Sequence, residues 1–149
     1  MQNIDYDALM SAALETREYS YSPYSGFAVG AALLCVDGSI FTGCNIENAA
    51  FTPTVCAERV AIFKAVAQGK TQKSDFAAIA IAGARHGEAP SEYCAPCGVC
   101  RQVLAEFCDL QRFQVVLGTS PDDYSVYTLE DLLPMAFTGK SFTAPKRPV

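Results

Sequence analysis

A chain of 149 residues, half of them hydrophobic and only 18% charged, is excluded from the disordered class and is expected to form one domain, residues 1–149. Its formal net charge of −5, with no run of Lys or Arg, excludes a surface that tracks nucleic acid phosphates. The expected ligand is small and neutral.

Residues 1–5 are acidic and have no signal-peptide core, and seven cysteines without a secretory signal point to a reducing cytoplasm. Residues 6–19 have the spacing of an amphipathic helix, with Leu9, Met10, Ala13 and Leu14 on one side. The turn-rich stretch 20–26 leads to two predicted strands, 27–36 and 39–45, around Asp37-Gly38, the signal of a two-residue hairpin. The first of these is the longest apolar run, is broken by Gly30 and is far too short to span a membrane. A loop, 46–53, delivers the chain to a predicted helix with Thr54 as its N-cap and Gly69 as its stop. Residues 76–82 read as a strand covered on both faces, and 83–95 as a loop. A second helix begins near Pro96 and frays at Cys108 and Asp109. Cys100, Val103, Leu104 and Phe107 face inward from it. Strands at 113–117 and 125–128, a short helix at 128–133 stopped by Pro134, and an extended tail at 141–149 complete the chain. This alternation predicts an α/β fold, a mixed sheet with helices on both sides and both Cys-bearing helices starting at one sheet edge.

The chemistry concentrates at those two starts. Cys56-Ala57-Glu58-Arg59 sets a thiol, a carboxylate and a guanidinium in a first helical turn, where free N–H groups favour thiolate over thiol. A charged side chain in apolar sequence is poorly explained as packing. Pro96-Cys97-Gly98-Val99-Cys100-Arg101-Gln102, whose Cys97 lies 41 positions after Cys56, repeats the design. Three thiolates with a fourth position open is the pattern of a catalytic rather than a structural Zn2+.

With Asn45-Ile46-Glu47-Asn48-Ala49, these motifs resemble the small homotetrameric cytidine deaminases, from Ser22-Pro23-Tyr24-Ser25 to Leu132-Leu133-Pro134. Cys56 stands where the zinc-deaminase signature often has His, matching the three-Cys variant. The resemblance implies a three-layer α/β/α sandwich around a mixed five-stranded sheet. It implies hydrolytic deamination of cytidine and deoxycytidine, in the service of pyrimidine salvage. Zn2+ on Cys56, Cys97 and Cys100 would activate water, and Glu58 would carry the protons. Arg59 would donate to a zinc thiolate, offsetting its charge, with Gln102 as a further support of the metal site. Asn45 and Glu47 would bind the ribose 3′-hydroxyl, Phe27 would pack on the pyrimidine and the Ala57 N–H would meet its ring carbonyl. Phe137 would close a neighbouring subunit's pocket in a homotetramer.

The chain departs from the pattern in having Phe51 where many relatives have Tyr, and Ala95 where Ser is common before Pro96. Cys94 forms a second C-x-x-C with Cys97. Cys35, Cys44 and Cys108 are expected as buried thiols, and His86, the single histidine, as a surface residue. Three rivals stand beside this reading. A blasticidin-type deaminase should alter the Asn45–Asn48 motif and Arg59. A zinc-stabilised binding module should close the fourth metal position and need no carboxylate at Glu58. An enzyme editing polynucleotides would need basic, aromatic surfaces that this acidic chain lacks.

Overall fold

The computed structural model describes residues 3–142. Helix α1 (Tyr6–Thr16) starts at Asp5, whose carboxylate accepts the Ala8 N–H at 3.0 Å, and tightens into a 3₁₀ turn over Arg17–Tyr19. Strands β1 (Phe27–Cys35) and β2 (Ile40–Cys44) follow, then helix α2 (Ala57–Ala67), strand β3 (Phe76–Arg85) and helix α3 (Gly98–Phe107). Strands β4 (Gln114–Ser120) and β5 (Asp123–Thr128) lead into the short α4 (Leu129–Leu132). Thr128 caps α4 by accepting the Asp131 N–H, while the Asp131 carboxylate accepts the Thr128 N–H.

The strands form one sheet in the order β2-β1-β3-β4-β5, with β3 and β4 parallel and every other pair antiparallel. Alternation along β3 separates its two faces. Ile79 and Ile81 join Leu33, Phe41, Val115 and Leu117 beneath α2 and α3. Ala78, Ala80 and Ala82 lie with Ala32 and Val116 under α1, where Leu9, Met10 and Ala13 cover them. Bulky side chains fill the space under two helices, and alanines let the single helix on the other face come close. The result is the expected three-layer α/β/α arrangement around a mixed five-stranded sheet. Among the described residues, no helix is long and apolar enough to cross a membrane.

The closest approach is at Gly30. A Cβ there would stand 1.9 Å from the Ala13 carbonyl oxygen and 2.8 Å from the Arg17 nitrogen, both backbone atoms that cannot step aside. Gly30→Ala is therefore expected to destabilise the protein by roughly 3 kcal/mol or more. Thermal unfolding should show a Tm lower by on the order of 10 °C. An unchanged Tm would mean that α1 can lift from β1 without cost.

Arg17 is buried at the end of α1, and among the described residues its guanidinium hydrogen-bonds to backbone carbonyls. Its Nε donates to Ala28 at 3.0 Å, and its Nη2 reaches Ala84, Arg85 and Glu88 at 3.3, 3.3 and 3.1 Å. It thereby ties the loop after β3 to the start of β1.

Four local expectations are corrected. The hairpin closes over three residues, Val36, Asp37 and Gly38, because the Cys35 N–H bonds the Ser39 carbonyl and Gly38 takes φ +88°. Strand β3 continues past Ala82 to Arg85, since β1 offers ladder partners as far as Phe27↔Arg85. Cys56, not Thr54, is the residue that precedes α2 in extended conformation. The Thr54 hydroxyl instead accepts the Asn48 N–H. In the predicted extended tail, Ser141 and Phe142 belong to a 3₁₀ turn, Gly139–Phe142, and residues 143–149 lie outside the described residues.

Candidate metal centre and active site

Helices α2 and α3 begin in the same way. Cys56 and Cys97 each hold the residue before the first turn in extended conformation, and neither thiol makes a capping hydrogen bond. Both sulfurs are thus free to turn toward one point. Cys100, one turn into α3 and buried, supplies the third. The three Sγ atoms lie within 4.8 Å of one another, with Cys56 to Cys97 at 3.9 Å and Cys97 to Cys100 at 3.6 Å. Ligands at a Zn–S distance of about 2.3 Å on a tetrahedron are separated by about 3.8 Å, so the trio fits that metal.

The trio's charge is unevenly held. Hydrogen bonds from Cys100, Arg59 and Cys97 bring the Cys56 thiol down to about 5, whereas thiolate at Cys56, together with burial, pushes Cys100 up. Arg59 Nη2 lies 3.5 Å from Cys56 Sγ and 3.4 Å from the Thr54 carbonyl oxygen, the expected placement of a donor to a metal thiolate. Glu58, the second residue of α2, is only 4% exposed, and burial raises its pKa. Cys94 lies outside the trio, and burial raises it to about 11, which keeps it a thiol.

Cys94, which feels the charges of Glu58 and Cys56, links this centre to the neighbouring surface. Phe27, 39% exposed, and Cys94 converge over Gly83: a Cβ on Gly83 would lie 2.9 Å from Cys94 Sγ and 3.0 Å from the Phe27 ring. The Ala57 N–H, first in its helix, has no intrahelical acceptor. Asn45 Oδ1 accepts the Val29 N–H at 2.9 Å, and its Nδ2 donates to the Phe27 carbonyl at 2.8 Å. Glu47 Oε1 accepts the N–H groups of Tyr24 and Ser25 at 2.9 and 3.1 Å. The Ser25 hydroxyl and these N–H groups hold its carboxyl below the usual range. Among the described residues this leaves one Nδ2–H of Asn45 without a protein partner, while the Glu47 carboxylate keeps acceptor capacity beyond these bonds. Glu47 opens on a recess of about 320 Å³, lined also by Tyr24, Ser25, Phe51 and Thr54.

The family model described as the cytidine and deoxycytidylate deaminase zinc-binding region matches residues 4–117. The chain belongs to this family. The deaminase is 44% identical over 137 residues to a cytidine deaminase of Halalkalibacterium halodurans, covering 92% of this chain and 97% of that one. It is also 44% identical to a cytidine deaminase of Sporosarcina psychrophila over 91% of this chain and 93% of the relative. Among solved structures, the cytidine deaminase of Burkholderia pseudomallei shares 48% identity at a TM-score of 0.77, covering 87% of this chain and 97% of that one. The Mycobacterium tuberculosis enzyme shares 35% at 0.74, covering 91% and 98%.

The cofactor of the deaminase is zinc, and Cys56, Cys97 and Cys100 are the group among the described residues placed to bind it. Elemental analysis is expected to give one zinc per chain. X-ray absorption should show sulfur as the only protein ligand at about 2.3 Å. Less than half an equivalent, or a nitrogen shell from protein, would reject the assignment.

Gln102 and Cys44 stand apart from their expected places. Gln102 is exposed, and its Nε2 donates to the Phe137 carbonyl at 2.8 Å rather than touching a thiol. Two positions beyond Cys100 it has turned about 200° around the helix, away from the sulfurs. Phe137 itself is 58% exposed and packs edge-on against Phe142 at 5.6 Å. Of the three thiols expected in the interior, Cys35 and Cys108 are buried, but Cys44, at the end of the edge strand β2, is half-buried. His86 is exposed, as expected.

Proposed function

We propose that this deaminase hydrolyses cytidine and deoxycytidine to uridine and deoxyuridine with release of ammonia. The observation that carries the reading is the buried Glu58 carboxyl held on the same helical turn as Cys56, beside the three converging thiols. A closed structural site would have no use for it. Cys56, Cys97 and Cys100 would hold the zinc, which would supply the Lewis acidity that makes water a nucleophile for the ring carbon bearing the amino group. Glu58 takes a proton from that water and delivers it to the adjacent ring nitrogen, then takes the proton left on the added hydroxyl and gives it to the amine as the carbon–nitrogen bond breaks. Arg59 offsets the charge that three thiolates place around the metal.

The substrate is held by residues of this chain at three points. Phe27 packs on the pyrimidine, the Ala57 N–H donates to its ring carbonyl, and Asn45 with Glu47 binds the 3′-hydroxyl. A hydroxyl that must both accept and donate suits the free Nδ2–H of Asn45 and the remaining acceptor capacity of the Glu47 carboxylate. Loss of cytidine's ultraviolet absorbance tests the assignment, run beside blasticidin and free cytosine. Turnover of blasticidin but not cytidine would replace it with the blasticidin-type reading. Zinc binding without turnover of either would leave a binding module.

The setting that fits is a cytoplasmic enzyme of pyrimidine salvage, one domain per chain, assembled as a homotetramer. Phe51 and Phe137 are 74% and 58% exposed, on the loop before α2 and on the segment after α4. Apolar side chains displayed in this way mark interfaces more often than bare surface. Phe137 then covers a neighbouring subunit's pocket. Sedimentation is expected to show a species four times the 16.0 kDa chain mass, with activity per chain falling on dilution. A fully active species of one chain mass would reject shared sites.

A further inference from the structure

His86 is exposed and lies 41 residues from Asn45 in sequence, yet a continuous line of side-chain hydrogen bonds joins them. His86 Nε2 is 2.7 Å from Ser22 Oγ, Ser22 Oγ is 3.0 Å from Ser20 Oγ, and Ser20 Oγ is 2.5 Å from Asn45 Oδ1. The direction of every bond in this line follows from one end. The Asn45 amide cannot be reversed, because its Oδ1 accepts the Val29 N–H and its Nδ2 donates to the Phe27 carbonyl. The Ser20 hydroxyl must therefore donate to Oδ1. Its other neighbour, the Asn45 backbone carbonyl at 3.3 Å, already accepts the Tyr21 N–H. Ser20 has no second proton, so the contact with Ser22 requires the Ser22 hydroxyl to donate. Ser22 in turn has none left for His86, and the imidazole must donate from Nε2–H.

The line is held at both ends. Ser22 is buried, so its hydroxyl depends on these two partners. The His86 backbone N–H donates to the Gly26 carbonyl at 2.9 Å, and the Arg17 guanidinium grips the carbonyls of Arg85 and Glu88 on either side of it.

The geometry points to His86, Ser22 and Ser20 as positioning residues of the sugar subsite: a one-way relay that pulls on Asn45 Oδ1 and so strengthens its free Nδ2–H as a donor. This rests on the reading that Asn45 binds the substrate's 3′-hydroxyl. Bonds in series polarise one another, so donation into an amide oxygen makes its N–H a better donor. The two backbone bonds set which way the amide faces. The relay sets how well it donates.

The test uses the zinc-loaded enzyme and three variants, Ser20→Ala, His86→Leu and His86→Gln. A neutral hydrogen bond contributes enough to shift binding by about threefold to tenfold. Ser20→Ala and His86→Leu are expected to raise KM for cytidine by that factor with kcat changed less than about twofold. His86→Gln, which keeps an N–H where the imidazole had one, should restore most of the loss. With 3′-deoxycytidine the same variants should leave kcat/KM within about twofold of the parent enzyme, since the hydroxyl they serve is missing. Equal losses on both substrates would show a structural role and overturn the relay, as would an unchanged KM in Ser20→Ala or His86→Leu. A parent enzyme that turns over both substrates equally would instead reject the sugar reading. The relay is then judged on the Asn45 side-chain amide proton in NMR spectra. That resonance should move in Ser20→Ala and His86→Leu and hold in His86→Gln, and a resonance indifferent to all three would overturn the relay.

Discussion

Glu58→Gln is expected to retain zinc and fold while losing turnover by at least a hundredfold to ten-thousandfold, the usual range for one general acid–base group. Glu58 is asked for more than one proton transfer, so the loss should lie at or beyond the top of that range. The fold should survive because the amide fills the same volume at a site only 4% exposed. It also removes the cost of burying a carboxylate, which is what raises the Glu58 pKa. The measurement is turnover of cytidine by a variant shown by metal analysis to be zinc-replete. Activity near that of the parent would refute the proton-carrier role outright, because an amide cannot accept and return a proton.

Removal of the sugar's 3′-hydroxyl should cost nearly as much. Without it, the donor on Asn45 and the acceptor on Glu47 both lose the partner that the sugar supplied. The ratio of kcat/KM for cytidine over 3′-deoxycytidine is thus expected to lie between about a hundred and ten thousand. Deoxycytidine keeps the 3′-hydroxyl and should remain a good substrate. Cytidine 5′-monophosphate should be poor, since Tyr24, Ser25, Glu47, Phe51 and Thr54 line the recess and none of them is a cation. Efficient turnover of the monophosphate would show that Glu47 does not face the sugar.

What the sequence made legible was what is local. The two Cys-bearing helix starts could be read because each signal spans only a few residues. Their convergence followed because parallel β3 and β4 flank α3 in the chain, with α2 on the same sheet face. The errors arose where distant partners override local preference. Asp37-Gly38 looks like a two-residue turn, but Val36 gives its N–H to Asp75 on the approach to β3, and the turn widens by one. Gly83 looks like the end of a strand, yet β1 is there to pair with. Its missing side chain serves Phe27 and Cys94 instead. Thr54 has the chemistry of an N-cap, but Cys56 has the backbone conformation of one. Nothing in the spacing of Ser20, Ser22 and His86 announces that they touch. Two serines in a turn and a histidine in a loop have no common period, and only the Arg17-held loop brings them together.

Arg17 has one more consequence, for how this protein can vary. Its guanidinium is satisfied by the carbonyls of Ala28, Ala84, Arg85 and Glu88, and a carbonyl is present whatever the side chain. The side chains of the gripped segment can therefore drift over generations, or be redesigned at the bench, without loosening the clamp. The clamp itself has no such latitude. A lysine brings a point charge where a flat fork with several donors is required, so the tolerance of the loop is underwritten by the intolerance of a single position on a different element.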